Sequence, residues 1–134
     1  MSDSIVFEAA GWTAPSHVNA LTTLRTGGVS CEAFDSLNLA AHVGDNPAAV
    51  EENRTLLMQQ LMLPSEPIWL NQEHGHQVVK AEPMVRNSLA DGSYTSEHRV
   101  VCAILTADCM PLFLTDRLGG TVSVSYTHLR AHET

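Results

Sequence analysis

His74 stands in the segment Asn71-Gln72-Glu73-His74-Gly75, and Cys109 closes Thr106-Ala107-Asp108-Cys109 at the end of a long apolar run. Imidazole nitrogen and thiolate sulfur are donors that zinc takes readily. A catalytic zinc site uses three protein ligands and leaves the fourth place to water or substrate. This pair supplies two of the three. The same side chains would also suit a cysteine nucleophile with a histidine base, although Asp108 would not orient that base directly, because neighbouring strand residues face opposite ways. The plain alternative is a buried core thiol and a hydrogen-bonded loop histidine, since free cysteine is among the most buried residue types.

His76 lies two positions after His74, and in an extended segment both rings would point the same way. The glycine between them favours a turn, which separates them. His17, His42 and His98 stand alone in polar surroundings and read as solvated or capping residues. Arg25, just before Gly27 and Gly28, could hold a phosphate or carboxylate through its planar fork and nearby backbone N–H groups; the bland reading is a turn arginine in water. Asp91, followed by Gly92, has the look of a turn carboxylate and by itself says nothing about catalysis.

The elements that must position these groups follow from periodicity and punctuation. Val18–Leu24 reads as a strand running into a turn at Gly27-Gly28. From Asn46 to Leu63 a capping asparagine, a proline at the first helical position and apolar residues at helical spacing predict a helix, ended by Pro64 and Pro67. Ile68–Leu70 and Gln77–Ala81 read as short strands flanking the His74 loop. Arg99–Leu105, continuously apolar after its first residue, suits a strand buried on both faces. Met110–Leu114 and Thr121–Ser125 read as two further strands about the Gly119-Gly120 turn, and residues 126–134 break the alternating pattern. The expected class is α/β in the broad sense: mixed, strand-rich, a layered sheet with flanking helices.

Composition narrows the function classes. The chain has 134 residues, 44% of them hydrophobic, enough for one domain or part of one. Fifteen acidic residues against seven Lys and Arg give a net charge of −8, with no basic stripe for nucleic acid or an anionic membrane. No apolar run approaches the roughly 18 to 20 residues that span a bilayer, and the start lacks a charged and then apolar leader, so a cytoplasmic location is expected. Three cysteines without CxxC spacing point to reduced thiols.

Taken together, LTTLRTGGVS, FDSLNLAAHVGDNPAAVEENR, WLNQEHGHQVV, LADGSYT and LTADCMPLFLTDR resemble, in order and spacing, the N-terminal half of the laccase-domain (polyphenol oxidase-type) family. Bacterial members of that family are described as purine nucleoside phosphorylases with adenosine deaminase and methylthioadenosine phosphorylase activity. The resemblance implies a zinc site made by the histidine of Gln-x-His-Gly, the cysteine of Thr-Ala-Asp-Cys and a later histidine. His74 and Cys109 match the first two, and Tyr126 stands where the third is expected. His128 is two residues late, which along a strand is a displacement of about 6 to 7 Å. The resemblance further implies a purine nucleoside and phosphate as small-molecule substrates, Arg25 and Asn38 lining the pocket, and Asp91 and Asp108 in support. Zinc is the expected metal and copper the alternative, although one histidine and one cysteine do not make a multicopper centre. The expectation is a family domain over residues 1–125 and an aberrant tail, from a frameshift or joining event, over 126–134. A cysteine hydrolase using Cys109 and His74, or an inactive truncated fragment, are the competing readings.

Overall fold

The computed structural model describes residues 4–106 and 110–127. Asp108 and Cys109 therefore lie outside the described residues, as does His128. The chain divides into two compact units, Met1–Trp12 with Asn19–Leu63, and Thr13–Val18 with Pro64–Thr134.

In the first unit, β1 (Phe7–Ala9) and β2 (Leu21–Thr23) pair antiparallel. The strand expected over 18–24 is shortened to Leu21–Thr23, in its C-terminal half, and the chain then turns through Gly27 at φ +102°. A side chain at Gly27 would meet the backbone of Ser4 and Ile5, so both the left-handed angle and the tight approach call for glycine. The helix α1 (Pro47–Gln60) forms where predicted: the Asn46 side chain accepts from Ala48 N at 2.9 Å, and proline occupies the first turn, where no N–H is missed. Its inward stripe is Val50, Asn53 and Leu57, at helical spacing, with Ile5 and Leu37 completing the buried apolar set of this unit.

The second unit is built on a four-stranded sheet of order β3-β4-β6-β5: β3 (Val78–Lys80), β4 (Gly92–Thr95), β5 (Met110–Thr115) and β6 (Val122–Thr127). The β5–β6 hairpin is the predicted pair about Gly119-Gly120, and β6 continues through Tyr126 to pair Thr127 with Met110. β3 and β4 run parallel, joined by a crossover through residues 81–91. Pro67, Ile68, Trp69, Leu70, Ala81, Ala90 and Val124 are buried.

Two expected strands are corrected. Arg99–Leu105 forms no strand and is only half-buried over Val101–Leu105; its ladder is the single parallel bridge between Cys102 and Ile68. Ile68–Leu70, by contrast, is buried, and it too is not a strand. Apolar runs report burial, but a strand also needs a neighbour to complete its hydrogen-bond ladder, and hydropathy carries no information about that neighbour. The mixed, strand-rich α/β class is as expected, with one α-helix among the described residues. No helix there is long and apolar enough to cross a membrane.

Candidate functional site

The site grows out of the strand register. β4 and β6 pair with Gly92 opposite Ser125, so the preceding residue, Asp91, faces Tyr126 across the ladder. The Tyr126 hydroxyl donates to Asp91 Oδ1 at 2.5 Å. The same carboxylate caps the His74 loop: Glu73 N and His74 N donate to Oδ1 at 2.9 Å each, and Gly75 N donates to Oδ2 at 2.8 Å. Asp91 N in turn donates to Gln77 O at 2.9 Å, closing the loop from the other side. Three successive amides converging on one carboxylate form a nest filled by the protein's own anion.

Asp91 is buried. Burial alone would favour the neutral acid, but the Tyr126 hydroxyl and the three amides outweigh it and hold the carboxyl below its ordinary value. Asp91 is thus more than the turn residue its sequence context suggested: both its oxygens are engaged, Oδ1 by Tyr126 and the amides of Glu73 and His74, Oδ2 by that of Gly75. The loop it holds carries His74 at φ +61°, a left-handed conformation that a non-glycine residue keeps only when its surroundings dictate it. The His74 ring lies edge-on to Tyr126, with centroids 5.8 Å apart and planes at 85°. The chain bends at His74-Gly75 rather than running straight, as the intervening glycine implied, and His76 is exposed beyond the bend. An open pocket of about 210 Å³ is lined by Gly75, His76, Gln77, Val78, Asp91, Ser125 and Tyr126.

Gln72 makes a second tie to this loop. Its amide donates to Leu105 O at 2.8 Å and accepts from Leu105 N at 2.6 Å. This two-way clamp ties the start of the His74 loop to the segment that continues, in sequence, towards Asp108 and Cys109. Neither Gln72 nor Tyr126 was identified from sequence as a partner in this arrangement. The Gln-x-His-Gly motif was the only signal for Gln72, and strand register, invisible in sequence, is what brings Tyr126 to Asp91.

The first unit holds the other two expected site residues. The exposed Arg25 donates from Nε to Asp35 O at 3.2 Å. The amides of Gly27 and Gly28, which could have joined Arg25 in holding an anion, donate instead to Ser36 Oγ at 3.1 and 3.2 Å. Both glycine amides are thus engaged within the protein, by the serine hydroxyl. Asn38 reaches Asp45 Oδ2 at 3.2 Å and exchanges hydrogen bonds with Ala40. Asp45 also accepts from Ser30 Oγ at 2.6 Å and Asn46 N at 2.8 Å. The Ser30 hydroxyl, followed by Asn38 and Asn46, lowers its pKa against the opposing effect of burial. Beneath this lies Asn53, fully buried, donating to Ser30 Oγ and Asn38 O at 2.8 Å each and accepting from Val29 N at 2.8 Å. A helix asparagine on the inward stripe is the sequence signal for such a hub.

The described residues do not complete a three-ligand zinc centre. Among them there is no group of three His, Cys, Asp or Glu side chains placed to share an ion. His74 provides one imidazole, and the position expected for a second imidazole is a phenol engaged with Asp91.

Comparison with known proteins gives a consistent set of relatives. A family model described as multi-copper polyphenol oxidoreductase laccase matches residues 19–128. The chain is 46% identical over 121 residues to purine nucleoside phosphorylase YfiH of Escherichia coli (strain K12), covering 89% of this chain and 49% of that protein. It is 48% identical over 119 residues to purine nucleoside phosphorylase PA4543 of Pseudomonas aeruginosa, covering 89% and 48%. Its fold is similar to the crystal structure of Neisseria meningitidis protein NMB0706, with a TM-score of 0.83 at 45% identity, over 90% of this chain and 49% of that one. The chain spans about half the length of the curated relatives it matches.

Proposed function

The chain belongs to the multi-copper polyphenol oxidoreductase laccase family, and from that premise we propose that it forms part of a purine nucleoside phosphorylase whose reacting groups gather around the His74 loop. The observation that carries this reading is the Gln72 clamp on Leu105, which ties the loop bearing His74 to the stretch leading to Cys109. The names of the relatives supply the substrate class, a purine nucleoside with inorganic phosphate.

In such a reaction a phosphate oxygen bonds to the ribose C1′ as the C1′–N9 bond breaks, and the purine leaves with the bonding pair and takes up a proton. His74 and Cys109 are assigned to the reacting end of the site, with Asp108 beside Cys109. Asp91 acts as the positioning residue that fixes the His74 backbone. Arg25 and Asn38 are assigned to the substrate. The guanidinium suits phosphate by charge, and only its Nε is engaged among the described residues. Asn38 is held in place by Asp45 and Ala40. Adenosine deamination, in which water adds at C6 and ammonia leaves, belongs to the same reading, as do inosine and methylthioadenosine as substrates and a cytoplasmic setting. If zinc is the cofactor, His74 and Cys109 would hold it together with a third group that the described residues do not supply. Bound there it would acidify a water molecule and stabilise negative charge.

The test is phosphate-dependent release of free base from inosine or adenosine, with metal content measured alongside. The assay compares the 134-residue chain with a form extended by the half of the E. coli relative that it does not match. Turnover in the extended form, lost in His74→Ala, supports the reading. An extended form that folds but cleaves no nucleoside overturns it.

A further inference from the structure

Asn53, Ser30, Asp45 and Asn38, all in the first unit, form a hydrogen-bond network whose direction is fixed at every link. Val29 N donates to Asn53 Oδ1 at 2.8 Å, so it is Nδ2 of the buried Asn53 that meets Ser30 Oγ and Asn38 O, at 2.8 Å each. Ser30, having accepted from Asn53, donates its own proton to Asp45 Oδ2 at 2.6 Å. The series ends there, because a carboxylate held below its ordinary pKa only accepts. Asn38 meets the same oxygen: its Nδ2 donates to Asp45 Oδ2 at 3.2 Å and to Ala40 O at 3.3 Å, while its Oδ1 accepts from Ala40 N at 3.1 Å. An amide turned the other way would set oxygen against two acceptors and nitrogen against a donor, so the network permits this orientation alone. Both Nδ2 hydrogens are therefore taken, and the half-buried Asn38 has left to offer one lone pair on Oδ1. Arg25 offers the reverse, since a guanidinium only donates. Its backbone oxygen accepts from Ser36 N at 2.9 Å and Leu37 N at 2.8 Å, which sets Arg25 alongside the segment that leads into Asn38.

We infer that Asn38 reads a hydrogen-bond donor of the nucleoside, a hydroxyl or a purine N–H, and takes no part in holding phosphate. Asp45 is the positioning residue that keeps the carbonyl oxygen of Asn38, and not its nitrogen, free for the ligand. The inference rests on the assignment of Arg25 and Asn38 to the substrate and divides it. The phosphate oxygens, which accept, fall to Arg25; the nucleoside's donor falls to Asn38. An asparagine with a free nitrogen would serve either ligand, whereas one whose hydrogens are both spent discriminates between them. A nucleoside lacking the matching donor leaves that lone pair unpaired in the complex, and this is where selectivity arises.

The experiment measures kcat/KM for phosphorolysis in the extended form, with inosine and with analogues that each lack one of its donors. These are 2′-deoxyinosine, 3′-deoxyinosine, 5′-deoxyinosine and purine riboside, which has no N1–H. Asn38→Ala should cost inosine about tenfold more than it costs one of these analogues. Comparing each substrate between parent and variant cancels the analogues' intrinsic lability, and the analogue that escapes the loss tells a hydroxyl from an N–H. In Asp45→Asn the new carboxamide can donate, so the Asn38 amide is free to turn, and the same analogue should again be spared. A purely structural role for Asp45 would lower every substrate alike. KM for phosphate should be unchanged in both variants, and Asp45→Asn carries the test if Asn38→Ala fails to fold. Equal losses on inosine and all the analogues, or a raised KM for phosphate with the nucleoside ratios intact, overturn the inference and leave the phosphorylase reading standing. An extended form that folds but cleaves no nucleoside overturns both.

Discussion

Tyr126 and Asp91 meet across the β4–β6 ladder, phenol to carboxylate Oδ1 at 2.5 Å, while the same oxygen accepts from the amides of Glu73 and His74 and Oδ2 accepts from that of Gly75. One buried acid thereby connects the end of a strand to the loop that presents His74, and the first three predictions test that connection.

Replacing Tyr126 by Phe keeps a ring at the edge of His74 and removes only the hydroxyl. A hydrogen bond to a charged group contributes about 1.5 to 3 kcal/mol, so unfolding in urea should shift by an amount in that range. A change within experimental error would mean that the phenol adds nothing to the amide nest.

Asp91→Ala is the more severe change, because it leaves three convergent amides without an acceptor. A loss of about 3 kcal/mol or more is expected, with faster hydrogen exchange at residues 73–75 before any change in α1. Asp91→Asn retains one carbonyl oxygen and should fall between the two.

The folded-state pKa of Asp91 is depressed, so the stability it contributes is present above the unfolded carboxylate value of about 3.9. It is lost as the pH falls through the lower folded value. Urea unfolding of the parent chain and of Asp91→Asn between neutral and strongly acidic pH should therefore converge in acid. Parallel curves at every pH would show that the carboxylate charge is not what holds the loop.

Gly28→Ala and Gly11→Ala make a steric contrast in the first unit. A Cβ at Gly28 would run into Asn53 Oδ1 and the backbone of Ser36 and Leu37, whereas nothing lies within 4 Å of one at Gly11. The first should destabilise by about 1 to 3 kcal/mol, as forced overpacking does. The second should be neutral or stabilising by up to about 1 kcal/mol, through loss of unfolded-state freedom. Thermal unfolding of the two variants reads the difference directly.

Cys31 is exposed, while burial pushes the Cys102 thiol up against the lesser opposing effect of Ser93. Alkylation at neutral pH, followed by mass mapping, should modify Cys31 well before Cys102, since the thiolate is the reacting form. Equal rates would mean that the segment around Cys102 opens freely.

By itself the sequence determined the features that local chemistry specifies. The Asn46 cap and the proline after it placed the start of α1, glycines at 27 and 119 placed turns that need left-handed backbone, and alternation about Gly119-Gly120 placed the β5–β6 hairpin. Motif order further identified the family and singled out the His74 loop. What the tertiary structure decided was pairing. Arg99–Leu105 has the hydropathy of a strand but lacks the ladder of one. Asp91 looked like a turn residue until β4–β6 register set it opposite Tyr126. Gln72 gained its role only when Leu105 came alongside, and the Gly27 and Gly28 amides found their acceptor in Ser36. Periodicity is a property of one segment and can be read along the chain. A hydrogen bond between Asp91 and Tyr126 depends on two distant segments and on the register between them, which no single stretch of sequence encodes.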